Sequence, residues 1–133
     1  MFTRIDTHVF HSNSLSCGAA RRQWAQCLAL FTERNAGRPV VVEADLRDLG
    51  AVQTEVKSAL NGVCYDRRDG TAQIMLGGIG VDEPHRTVVV RDVLAVDSLV
   101  TSAGHDVALR FAIPTGQVLL TFVPRFGDDV EGA

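Results

Sequence analysis

Residues 107–123 decide the fold class: Val107-Ala-Leu-Arg-Phe-Ala-Ile113, then Pro114-Thr-Gly116, then Gln117-Val-Leu-Leu-Thr-Phe-Val123. In an extended chain Val107, Leu109, Phe111 and Ile113 fall on one side and Ala108, Arg110 and Ala112 on the other, the period-two pattern of a strand. The Pro-Thr-Gly turn reverses the chain, so the stretch reads as an antiparallel hairpin. In its second arm Val118, Leu120 and Phe122 alternate with Leu119, Thr121 and Val123, which leaves both faces largely apolar. A helix, a second sheet layer or a partner subunit must cover the second face, and hairpin edges must be covered, charged or paired. A homo-oligomer, with a dimer favoured, is therefore expected.

Working outward, the same grammar repeats toward the N-terminus. Ala95–Thr101 and Thr87–Val93 are β-branched runs, and Gly62–Asp66 and Ala72–Leu76 flank Arg67-Arg68-Asp69-Gly70, where Asp-Gly signals a hairpin turn. Val52–Ala59 fits a strand or a short helix. Val40–Asp45 is a further strand, closed by Asp48-Leu-Gly50. Upstream the period changes, because Trp24, Cys27, Leu28 and Phe31 recur at i, i+3, i+4 and i+7. This predicts one amphipathic helix over 19–35, with Ser16 as N-cap, Gly37 at the left-handed position after its end and Pro39 forbidding continuation. The expected fold is α+β: one N-terminal amphipathic helix packed on a curved, mainly antiparallel sheet or small open β-barrel of six to seven strands. Residues 1–18 read as a flexible arm that could add a short strand around Thr7–Phe10, residues 19–124 as a single domain and residues 125–133 as an acidic disordered tail.

Composition agrees with one domain. The 133 residues are 46% hydrophobic and include eighteen valines, which suit a pleated, half-buried surface. Thirteen basic against sixteen acidic residues give a net charge of −3, which disfavours nucleic acid and anionic membranes as partners. Cys17, Cys27 and Cys64 are odd in number and widely spaced, so reduced thiols are expected rather than a disulfide framework or a zinc site. The N-terminus lacks the apolar stretch of an export signal, and no run of about 18 apolar residues suggests a membrane span. The cytoplasm is the expected compartment.

Residues that carry chemistry elsewhere are sparse here. Gly77-Gly78-Ile79-Gly80 follows a strand-like run as phosphate-cradling glycines do, but Val81-Asp82-Glu83-Pro84 follows where a helix N-terminus is needed. Glycines at a strand end also mark a bulge or a close backbone approach. His8 and His11 offer two metal ligands where three are required, so no metal site is expected. Ser102, His105 and Asp106 bring together a hydroxyl, an imidazole and a carboxylate, but three members crowded into one polar turn can hardly align as a triad, and such residues are ordinary turn formers. Asp66 and Asp69 beside a hairpin tip read as solvated, and Cys64 within Val63-Cys64-Tyr65 as packed. No catalytic residue and no cofactor is assigned. The ligand-binding candidates are Gly77, Gly78, Gly80, Asp82 and His105.

The chain resembles a small bacterial family of unknown function with a Trp-containing first helix and a β-rich remainder. The matching residues are Arg21-Arg22-Gln23-Trp24 with Phe31, Asp48-Leu49-Gly50-Ala51, Leu60-Asn61-Gly62, Tyr65-Asp66, Asp106-Val-Ala-Leu-Arg-Phe111 and Gly116-Gln-Val-Leu-Leu-Thr-Phe122. The family's usual Gln after Gly-Ala is Val52 here, with Gln53 one place later. The resemblance implies this architecture and no catalytic residues. A looser similarity links Leu60–Asp66 and Thr87–Asp92 to the bent strands of Sm-like and SH3-like small barrels, of which the Sm-like form RNA-binding rings. The leading functional expectation is a non-enzymatic protein-interaction or small-ligand-binding module. An Sm-like oligomeric RNA-binding barrel and, less favoured, a small enzyme are the alternatives.

Overall fold

A computed structural model describes residues 9–11, 20–48, 50–78 and 84–123, with the course of the backbone alone for 9–11 and 51–57. Strand β1 (Val9–His11) precedes a single 3-10 turn at Arg21–Gln23 and helix α1 (Trp24–Asn35). Seven strands follow: β2 (Pro39–Leu46), β3 (Gly50–Asp66), β4 (Thr71–Gly77), β5 (His85–Val90), β6 (Ala95–Val100), β7 (Asp106–Ile113) and β8 (Gly116–Phe122). The class is α+β, as expected. The acidic C-terminal stretch and most of the N-terminal arm lie outside the described residues.

The helix stripe is buried as its spacing requires, with Trp24, Leu28 and Phe31 all in the core and Cys27 packed against it. Its start differs from expectation. The α-helix begins at Trp24 after the 3-10 turn and has no side-chain cap at that end, while Ser16 lies outside the described residues. Its end matches. The Ala36 N–H donates to the Thr32 carbonyl at 2.9 Å, and Gly37 takes φ +93° and donates to the Leu60 carbonyl at 2.7 Å. The backbone therefore turns directly from helix into sheet, since a left-handed residue after the helix is cheapest as glycine.

All pairings are antiparallel, in the order β1-β6-β7-β8-β2-β3-β4-β5. The sheet is not closed, and β1 and β5 are its edges among the described residues. The segment 52–59, whose pattern fits strand or helix equally, is strand, and it runs on through Asn61 into one 17-residue β3. The N-terminal part of β3 pairs with β2 and its C-terminal part with β4, so this strand carries the sheet around the core. Register shifts occur between Val40 and Glu43, between Leu60 and Gly62, and between Leu99 and Val100. Each lets a strand bend and twist locally.

The helix lies against β3. The Thr32 hydroxyl accepts from the Val63 N–H at 2.9 Å, and a Cβ on Gly62 would sit 3.2 Å from Thr32 Cγ2. Trp24 meets Tyr65 edge-on at 5.1 Å between ring centres, and Phe31 packs on Phe122 at 5.7 Å. Aromatic pairs of this kind contribute about 0.5–1.5 kcal/mol beyond their buried area. Around them Val40, Val42, Leu60, Ile74, Leu76, Leu109 and Leu120 are fully buried in the same cluster. The β7–β8 hairpin closes through Pro114-Thr115, with Ile113 opposite Gly116. Gly116 takes φ +150°, and a Cβ there would collide with the Asp45 carbonyl oxygen, so glycine is required by both conformation and space.

The cysteines depart from expectation. Cys27 is disulfide-bonded, Cys64 is a free thiol, and Cys17 lies outside the described residues. Spacing in sequence excludes a close CxxC pair and carries no information about which thiols the fold brings together. Cys64 is also exposed rather than packed.

Candidate functional site

Because β2, β6, β7 and β8 alternate, the residues that miss the core line up on the sheet's other side. The register sets Asp97 opposite Arg110, Arg110 opposite Leu119 and Leu119 opposite Glu43, one row across four adjacent strands. A parallel row runs Leu99, Ala108, Thr121, Val41, and a third runs Ala95, Ala112, Gln117, Asp45. Leu99 and Ala108 are fully buried yet stand apart from the main cluster, while Val41, Glu43, Leu119 and Thr121 are half-buried. This outer face is a mostly apolar and small-residue surface crossed by one charged row.

The row's electrostatics are uneven. Arg110 donates from its guanidinium to Asp97 Oδ2, and the Asp97 side chain is 13% exposed. At the other end, Glu43 Oε1 is sealed from water and has no hydrogen-bond partner among the described residues. A buried acceptor left unmade costs about 1–3 kcal/mol, and more when it is charged.

A second polar cluster closes the helix end against β7. Asp106 is 7% exposed and accepts from Arg34 Nε at 3.0 Å and from Asn35 Nδ2 at 2.9 Å. Arg38 donates to Asn35 Oδ1 at 2.8 Å and to the Asp106 carbonyl at 3.2 Å, and its guanidinium lies 4.0 Å over the Phe122 ring. The Asp106 carboxylate is thus spent on fastening α1 to β7.

That fact separates the Ser102, His105, Asp106 group. Ser102 and His105 are exposed, the His105 carbonyl accepts from the Thr101 N–H and the His105 N–H donates to the Thr101 hydroxyl, and Asp106 turns to the helix instead. Of the glycine candidates, Gly77 takes φ +82° at the end of β4, where its carbonyl accepts from Asn61 Nδ2 at 2.6 Å. Gly78 takes φ +78° and its Cα is capped by the His85 ring, which occupies the place of a Cβ. Gly80 and Asp82 lie outside the described residues, as does His8. Gly77 and Gly78 thus sit at one hairpin mouth and His105 in the β6–β7 turn, on different elements. Asp66 Oδ1 accepts the Arg68 N–H at 2.9 Å, shaping the β3–β4 turn. No group of three or more His, Cys, Asp or Glu side chains that could hold a metal occurs among the described residues. No described helix is long and apolar enough to cross a membrane.

Fold and site together define a small α+β protein in which one helix packs on an open, bent antiparallel sheet around one core cluster. The chain belongs to a family of unknown function, DUF5335, whose model matches residues 18–117. That span takes in the helix and most of the sheet. No curated protein and no solved structure matches the chain.

Proposed function

We propose that the protein is a non-catalytic interaction module that works as a homodimer, two copies meeting through the outer sheet face. The observation that supports this reading is the half-buried group of Val41, Leu119 and Thr121 in neighbouring rows of the sheet face turned away from α1. Arg110 and Glu43 flank Leu119 at roughly 10 Å from each other, two strand spacings. A two-fold axis through Leu119 sets Leu119 of one copy against Leu119 of the other, an isologous contact. Val41, Thr121 and Ala112 supply its apolar surround. The engagement of Asp106 by the helix, away from His105, supports the non-catalytic side of the reading.

Light scattering or sedimentation at tens of micromolar tests it. A dimer is expected for the native chain, and Leu119→Asp yields a monomer with an unchanged melting temperature at low protein concentration. A monodisperse native monomer overturns the reading, and a six- or seven-membered ring transfers support to the Sm-like alternative.

The compartment is tied to Cys27. Disulfides persist in oxidising compartments, whereas the cytoplasm keeps thiols reduced. Thiol titration of the freshly isolated chain under denaturing, non-reducing conditions decides between them: three reactive thiols support the cytoplasm, and one supports an oxidising compartment.

A further inference from the structure

The end of the molecule opposite the Asp106 cluster concentrates positive charge in a chain whose net charge is −3. An open cleft of about 680 Å³ lies between the first turn of α1 and the β3–β4 hairpin, lined by Ala25, Cys64, Tyr65, Arg67, Arg68 and Gln73 among others. Its size falls in the range of small-molecule sites. Arg67 and Arg68 are exposed at the hairpin turn. Arg21 and Arg22 are exposed on the 3-10 turn that leads into α1, within four residues of Ala25 in the cleft wall. The Arg21 guanidinium lies 5.2 Å over the Trp24 ring, and Trp24 in turn meets Tyr65, which places Arg21 at the same end of the core.

Two carboxylates stand nearby, and one is already committed. Asp66 accepts the Arg68 N–H and lies 3.7 Å from Arg68 Nε, an exposed pair that contributes little to stability. Arg67 and Arg68 against Asp66 leave the cleft lining positive. Guanidinium groups present forked donors that match phosphate oxygens, and such bonds are roughly twice as strong as neutral ones. The cleft floor adds neutral donors in Gln73 and the Thr71 hydroxyl, the latter now bonded only at 3.3 Å to the Asp69 carbonyl.

We propose that this cleft binds a small phosphate-bearing molecule held by Arg67 and Arg68 in its lining, with Arg21 and Arg22 on the turn that precedes its helix wall adding positive charge. The site is independent of the outer face, so either can fail alone. Calorimetric titration of the native full chain with pyrophosphate at 0.15 M sodium chloride is expected to give saturable binding with one site per chain. Arg67→Ser with Arg68→Ser weakens it at least about tenfold, and Arg21→Ser with Arg22→Ser, which removes charge beside the cleft, weakens it by a smaller factor. Circular dichroism melts keep the variants interpretable, since all four side chains are exposed. Binding that survives both double substitutions overturns the proposal, as does no heat above that of an equal ionic strength of sodium chloride. Tighter binding of a single-stranded oligonucleotide, with a steep loss on adding salt, also overturns it and identifies a polyanion surface instead.

Discussion

Two faces of one sheet, made by alternate residues of the same four strands, have different fates. Leu120 points inward and is fully buried against the cluster around Phe31, whereas its neighbour Leu119 points outward and is half-buried in the charged row. The inner face is sealed by a helix whose apolar stripe matches it. The outer face carries apolar side chains and charges together, with Leu99 and Ala108 fully buried and Val41, Leu119 and Thr121 half-buried. At Leu119 and Leu120 the faces differ by the presence of α1 on one side.

The largest expected effect tests that contrast directly. Leu120→Ala removes a fully buried side chain and is expected to lower stability by about 3–4 kcal/mol, while Leu119→Ala costs under about 1 kcal/mol in a dilute sample. Urea denaturation of both variants at submicromolar concentration checks this. Comparable losses would break the contrast and make the outer face a second core layer within the chain.

An intermediate effect concerns the two aspartates, one on each face. Asp106 accepts from Arg34 and Asn35 on the helix side, and Asp97 accepts from Arg110 on the outer side. The Arg34 side chain is 45% exposed, which lessens the penalty for stranding its charge. Asp106→Ala is therefore expected to cost about 2 kcal/mol, chiefly in charge-assisted hydrogen bonds. Hydrogen exchange of the last turn of α1 rises in that variant and stays unchanged in Asp97→Ala. Equal protection in the two would show that Asp106 does not fasten the helix.

Much of the inner face is legible in the amino-acid sequence, and the reasons are local. The Trp24, Leu28, Phe31 stripe and the alternation from Val107 to Phe122 are periodic signals that a few neighbouring residues define. Gly37 and Pro39 mark the helix end through backbone conformation alone. The outer row is partly legible, since Leu119 and Thr121 announce a second apolar face, but its charges are not. Setting Asp97, Arg110 and Glu43 in one line requires the strand order β6-β7-β8-β2, which brings together residues far apart in the chain. Asp106 reads as a turn former because its partners Arg34 and Asn35 lie more than seventy positions away. The long β3 reads as two pieces divided at Asn61-Gly62, a pair that favours turns, and the packing of Gly62 beneath Thr32 overrides that preference. The disulfide at Cys27 is likewise a matter of proximity in space.

The smallest expected effect compares one unsatisfied atom on each face. Tyr65 Oη on the inner side and Glu43 Oε1 on the outer side are both sealed and without a partner among the described residues. Tyr65→Phe removes the stranded hydroxyl and keeps the ring against Trp24, so stability is expected to stay level or rise by up to about 1 kcal/mol. Glu43→Met removes the stranded carboxylate oxygen and is expected to stabilise by a similar amount. Because that oxygen is sealed within its own chain, the gain is expected to be similar in a dilute sample and at tens of micromolar. Melting each variant at both concentrations checks this. A loss of stability for Glu43→Met at both concentrations would mean that the carboxylate has a donor within the chain, and the contrast between the two stranded atoms would fall.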